Sequence, residues 1–233
     1  IVDAYNGVGG FAQRCPELRT ICCLPSLELQ IFTAKDSSIG SIADMAGKTI
    51  AVGAEGGASF RVAQEVLKLF GLKAYTDYQP QFSHLLDSVR DLDNGKVDAM
   101  FFLSIGQSSA ILDLACQKEL KLLALPQQVI EQLTSGHPYW VSTMIEAHTY
   151  PGQYRGIPTI GVPSVLICHK DTPIEDTQAI AGGLLENIES IGQLVFPKRK
   201  FPFALAIRDM GIPRHRGVEQ FLSTLPGTSG DHA

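Results

Sequence analysis

GKTIAVGAEGGASFRVAQEVLKLFG, residues 47–71, is the stretch whose reading decides the fold. Residues 49–52 form a short apolar run, long enough for a buried strand and too short for a helix. Gly53, Gly56 and Gly57 then crowd one turn, where the backbone can bend and a ligand can come close. After Ser59 the period changes: Val62, Val66 and Leu69 fall on one helical face, with Ala63, Leu67 and Phe70 beside it. Gly71 stands where a helix C-cap is expected. The stretch therefore reads as strand, glycine loop, helix. A helix start offers unpaired N–H groups and a partial positive charge, which suits an anion. Ser59 can cap that helix or give its hydroxyl to a ligand. Two phosphate motifs are excluded. No Lys follows the glycines as a Walker loop needs, and their spacing does not match GxGxxG.

Outward from this unit the same rhythm continues. Residues 74–78 read as a strand and 82–93 as a helix stopped by Asn94-Gly95. Residues 97–103 read as a strand, 104–107 as a polar turn, 107–118 as a helix and 120–125 as a strand. Strands alternating with helices predict a parallel sheet with right-handed crossovers. Ligands in such sheets sit beyond the carboxyl ends of the strands, so residues 53–59 and 104–107 are expected to converge on one crevice. Upstream, residues 1–13 read as a helix or extended segment running into a glycine turn. Residues 18–24 and 27–33 read as two strands joined by Pro25-Ser26, and 41–45 as a helical turn capped by Ser41. Downstream come a short helix at 126–133, an extended piece at 139–145 and a turn-rich loop at 148–158. A long apolar strand at 159–169, a helix at 173–195 softened by Gly182-Gly183, and a tail with one or two short helices and a polar end complete the chain.

Composition narrows the function. The apolar fraction is 45% and charged residues are only 18%, which is globular and not disordered. A net charge of −5 without a basic stripe argues against nucleic acid, and Lys198, Arg199 and Lys200 are the one dense basic run. No apolar run reaches the ~20 residues of a membrane span, so direct membrane insertion is not expected. Five cysteines (Cys15, Cys22, Cys23, Cys116, Cys168) form no CxxC and read as structural thiols, leaning to a reducing compartment. The six histidines, His84, His137, His148, His169, His215 and His232, show no zinc spacing, and no GxSxG elbow presents a serine. His215, between two arginines, reads as a surface or packing residue. No catalytic residue, metal site or cofactor is expected. Phe101 and Phe102 alternate in their strand, which sends one to the core and offers Phe102 as a shelf for a ligand. His148, Tyr150 and Gln153 lie in a turn-rich loop of the kind that carries function on a rigid scaffold.

Several segments, in order, resemble the TAXI family, the extracytoplasmic solute-binding proteins of TRAP-type transporters. They are DAYNG at 3–7, SIADMAGK at 41–48, GKTIAVGAEGGAS at 47–59, KVDAMFFLSIGQ at 96–107, TYPGQYRGIPTIGVPSVLI at 149–167 and IPRHRGVEQF at 212–221. The resemblance implies an α/β, two-lobed fold like type II periplasmic binding proteins, with mostly parallel sheets and a hinge. It implies a first lobe of residues 1–42 and 126–233, and a second of residues 43–125. It implies a non-enzymatic receptor that grips a small carboxylate (glutamate, glutamine, a 2-oxo acid or a dicarboxylate) and delivers it to the membrane permease. The family's glycine loop matches Gly53, Ala54, Gly56, Gly57, Ala58 and Ser59; its strand-end turn matches Ser104, Gly106 and Gln107; its YPGQ loop matches Tyr150 and Gln153; Tyr5 stands at a family position. Glu55 and Phe60 depart from the pattern. Family members begin with several dozen residues before the segment matching DAYNG, so an incomplete first lobe and a periplasmic protein whose signal peptide lies outside this sequence are expected. Two other readings stay open at this stage: a cytoplasmic ligand-sensing domain like that of LysR-type regulators, and an α/β enzyme acting on a small acidic substrate.

Overall fold

A computed structural model describes residues 1–195 and 200–225. The polar end of the tail from residue 226, His232, and Lys198 and Arg199 of the basic run lie outside the described residues. In chain order the elements are α1 (Val2–Asn6), β1 (Leu18–Ala34), a 3₁₀ turn (Ile42–Met45), β2 (Thr49–Ala51), α2 (Ala58–Leu69), β3 (Gln79–Gln81), α3 (Leu85–Asp93), β4 (Ala99–Ser104) and α4 (Ser109–Gln117). There follow β5 (Leu120–Leu122), α5 (Gln127–Gly136), β6 (Val141–Ile145), β7 (Ile157–His169), α6 (Ile174–Leu185), α7 (Ile188–Val195), α8 (Phe203–Ala206) and α9 (Arg216–Ser223). The chain divides into two compact units, residues 1–25 with 163–233, and residues 26–162. The boundaries fall inside β1 and β7 instead of at residues 42 and 126. The reason is packing: Ile130 and Leu133 of α5 share a core with Val62, Val66 and Leu67 of α2.

The 26–162 unit is a sheet with helices on both faces. The strand order is β3-β2-β4-β1-β7-β6, with β5 also paired to β1. The α/β class stands as the sequence implies. The parallel expectation holds for β3, β2 and β4. It is corrected elsewhere: β1 runs antiparallel to β4 and to β5, and β6 antiparallel to β7. One face buries Leu29, Ile31 and Phe101 against α2 and α5. The other buries Phe32, Met100 and Phe102 against Leu92 of α3 and Ile111 and Leu114 of α4. Each fully buried side chain of this size contributes about 1.5–3 kcal/mol.

Local differences from the sequence reading have local causes. Residues 18–34 are one strand that continues through Pro25 instead of two strands joined there. The strand expected at 74–78 is a turn, with an isolated bridge between Ala74 and Tyr78; pairing with β2 begins at Gln79. The helix expected at 173–195 breaks after Leu185 into α6 and α7, not at Gly182-Gly183. Gly182 is instead a packing site: a Cβ there would lie 3.3 Å from the Phe221 ring of α9.

The other unit holds α1, the outer parts of β1 and β7, and α6 to α9. Its core is Ile21, Cys22, Ala181, Leu185, Ile188, Val218 and Leu222. His215 is buried and caps α9: its Nδ1 accepts from the Gly217 N–H at 3.1 Å, so Nε2 carries the proton and faces the Lys170 carbonyl at 3.0 Å. Burial pushes the Cys22 thiol up to about 11, and Cys23 in the same direction, so both are inert structural thiols.

Candidate functional site

The parallel strands β2 and β4 end at one edge of the 26–162 unit, but not at the same level. Their register pairs Ala51 with Met100, so β4 runs on to Ser104 where β2 has already turned away. The chain leaving β2 fills that step. Residues 53–57 loop out, α2 begins at Ala58, and the Ser59 hydroxyl accepts a hydrogen bond from the Leu103 N–H at 3.1 Å. Ser59 thus takes a ladder N–H and does not cap α2. The N-cap is Gly57, and no side chain caps this helix. The third parallel strand joins the same edge, where the Ser83 N–H donates to the Gly53 carbonyl at 3.3 Å and Phe60 meets Phe82 edge to face at 5.1 Å.

The loop geometry is set by glycine. Gly53 has φ 91°, and a Cβ there would lie 2.7 Å from the Ser59 Cβ. The Gly57 N–H closes a turn onto the Ala54 carbonyl at 2.9 Å. Glu55, Gly56 and Ala58 are exposed, with Ala54, Gly57 and Ser59 half-buried behind them. The Glu55 carboxylate therefore sits at the surface and not in the interior of the loop.

The turn after β4 is held from below. Gln30 of β1, fully buried, donates from Nε2 to the Gly106 carbonyl at 2.8 Å. The Tyr150 hydroxyl donates to Gln30 Oε1 at 2.7 Å and accepts the Ser108 N–H at 2.9 Å. Burial pushes the Tyr150 phenol up to about 12, against the smaller lowering effect of those hydrogen bonds. Its ring stands edge to face on Phe32 at 5.2 Å. Gln107 is exposed at the turn, its side-chain amide donating to the Thr149 carbonyl.

The structure therefore brings Gly53, Ala54, Gly56, Gly57, Ala58 and Ser59 to the same strand edge as Ser104, Gly106 and Gln107, as the crossover pattern implies. Tyr150 is tied beneath the second turn. Gln153 closes its own loop: it accepts the Tyr150 N–H at 3.2 Å and donates to the Glu146 and Arg155 carbonyls, each at 2.9 Å. Phe102 is 4% exposed and packs on Phe32 in the core; Phe101 is buried on the opposite face. Tyr5, half-buried on α1, belongs to the other unit.

Two residues on this face were not singled out in the sequence, Glu28 and Gln30. Register pairs Glu28 with Ser104 and Gln30 with Phe102, so they share one side of the sheet. The Glu28 carboxylate is only 2% exposed and takes a hydrogen bond from the Thr143 hydroxyl at 3.4 Å. Gly161 of β7 is closely packed: a Cβ there would lie 2.9 Å from Val141, 3.1 Å from Ser26 and 3.5 Å from the Thr143 methyl. The available signal was LELQIF at 27–32, whose alternation reads as a solvent-facing polar side.

Fold and site together define an α/β chain in which the loops 53–59 and 104–107 stand at the ends of adjacent parallel strands. The chain belongs to the NMT1-like family, whose model matches residues 1–223. Among solved structures it is similar to the periplasmic aliphatic sulphonate binding protein SsuA from Escherichia coli, at 19% identity over 78% of this chain and 51% of that one, with a TM-score of 0.47. It is also similar to an arginine transport system periplasmic binding protein from Legionella pneumophila, at 19% identity over 76% of this chain and 66% of that one (TM-score 0.44). A third is the arginine-, lysine-, histidine-binding protein ArtJ from Geobacillus stearothermophilus, at 15% identity over 78% and 64%, with a TM-score of 0.46. The chain spans about half the length of SsuA.

Proposed function

We propose that this chain is the ligand-capturing part of an extracytoplasmic solute-binding receptor, not an enzyme, and that it takes a small carboxylate at the edge formed by residues 53–59 and 104–107. The observation that carries the reading is the start of α2. Gly57 caps it without a side chain, Ser59 is turned onto Leu103, and the exposed Gly56 beside the half-buried Gly57 lets a ligand reach the backbone. Such a helix start favours an anion by its free N–H groups and its dipole. The ordered motifs that resemble those of the TAXI family extend the reading to a two-lobed receptor, to delivery to a TRAP-type membrane permease, and to a glutamate, glutamine, 2-oxo acid or dicarboxylate ligand.

Thermal shift tests it with L-glutamate, 2-oxoglutarate and succinate, with an alkanesulphonate, arginine and a neutral sugar beside them. A ligand at a hundred times its dissociation constant adds about 2.7 kcal/mol. In a chain of this size that is a shift on the order of 5–10 °C. A shift with one of the carboxylates is expected. No shift with any of them, together with one for arginine or the sugar, overturns the carboxylate assignment.

A further inference from the structure

The chemistry-bearing group that the sequence left unused is the buried amide of Gln30. We infer that Gln30, acting through Tyr150, is the positioning residue that holds the 104–108 turn in its ligand-ready shape. The inference rests on the solute-site reading of that turn.

The hydrogen-bond directions are forced. The Gly106 carbonyl can only accept, so Gln30 must present Nε2 to it. That leaves Oε1 to accept the Tyr150 O–H, and Tyr150, with its proton committed, accepts the Ser108 N–H. The three bonds fasten the carbonyl before Gln107 and the amide after it, so the one exposed residue of the turn is held at both ends. Neither supporting side chain can drift, since Gln30 is fully buried within β1 and the Tyr150 ring packs on Phe32. The donor and acceptor of one carboxamide are both used, which Glu at this position could not reproduce in its ionised form. A turn fixed before binding loses less freedom on binding, and that raises affinity without any direct contact to the ligand.

The test uses Gln30→Glu, Gln30→Met and Tyr150→Phe in the full chain, with two readouts. The first is amide hydrogen exchange without ligand. Exchange at residues 106–110 is expected to rise at least tenfold in each variant, with residues 62–69 of α2 unchanged. Unchanged exchange at Ser108 overturns the inference. The second is calorimetric titration with 2-oxoglutarate and L-glutamate at a temperature where circular dichroism shows every variant folded. Affinity is expected to fall about tenfold in each single variant, with Gln30→Met/Tyr150→Phe no weaker than the worse single. A purely structural role would lower the melting temperature and leave the affinity of the folded protein unchanged, and that result overturns the inference. A parent protein that binds neither probe sinks the carboxylate reading instead, and exchange at Ser108 then decides the positioning role alone.

Discussion

Replacing Gly53 by Ala tests whether the glycine loop is held in one shape by what lies behind it. A side chain at φ 91° is strained, at a cost of about 1–2 kcal/mol. The new Cβ would also lie 2.7 Å from the Ser59 Cβ and 3.3 Å from the Phe60 nitrogen, where carbon atoms prefer about 3.5–4.0 Å. Ser59 cannot retreat without loosening its 3.1 Å bond to the Leu103 N–H, which is worth about 1 kcal/mol. The sum is about 2–3 kcal/mol. Gly56→Ala is the control: φ is 71° but nothing lies within 4 Å, so only the conformational part, about 1 kcal/mol, applies. Both changes restrict the unfolded chain alike, so that effect cancels in the difference. The single tryptophan, Trp140, packs against the core shared by α2 and α5 and reports unfolding of this unit. In urea, with a slope of about 2 kcal/mol/M, the two midpoints should differ by about 0.5–1 M. Midpoints that agree within ~0.25 M would mean that Ser59 does not brace the loop, and the reasoning fails.

Ser59→Ala should lower stability by about 1 kcal/mol through the orphaned Leu103 N–H, a drop of roughly 2–4 °C in melting temperature; an unchanged melt would show that water replaces the hydroxyl at no cost. The raised phenol of Tyr150 predicts alkaline sensitivity. The folded form holds its proton more tightly than the unfolded one, so stability is fully present below pH ~10 and falls as pH rises towards about 12. Measured by denaturation at stepped pH, the unsubstituted protein should lose about 2–3 kcal/mol more over that window than Tyr150→Phe, which keeps only the loss from other raised groups such as the Cys22 thiol. In the other unit, Gly217→Ala would drive a Cβ into the Thr177 hydroxyl and to 2.6 Å from the Ile174 carbonyl, separating α9 from α6. A loss of more than ~2 kcal/mol by circular dichroism is expected, and a neutral substitution would refute this packing.

Short-range physics was legible in the chain. The change of period after Ser59 put Val62, Ala63, Val66 and Leu67 on the buried side of α2, whereas Leu69, read onto the same face, is exposed at its end. The glycine turn and the crossover rhythm located the two strand ends, and Ser41 with Asp44 formed the expected cap. Partners far apart in the chain were not legible. The strand read at 27–33 gave no sign of what covers its polar side, where α3 and α4 pack and bury the neighbouring Phe32 and Phe102. It took the fold to bring Tyr150 to Gln30, 120 residues away, and Ser59 to Leu103, 44 residues away. Periodicity records which face of an element is apolar, because that depends on residues three, four or two places apart. Whether a polar side chain on the other face meets water or a buried carbonyl depends on what packs above it, and only the tertiary structure decides that.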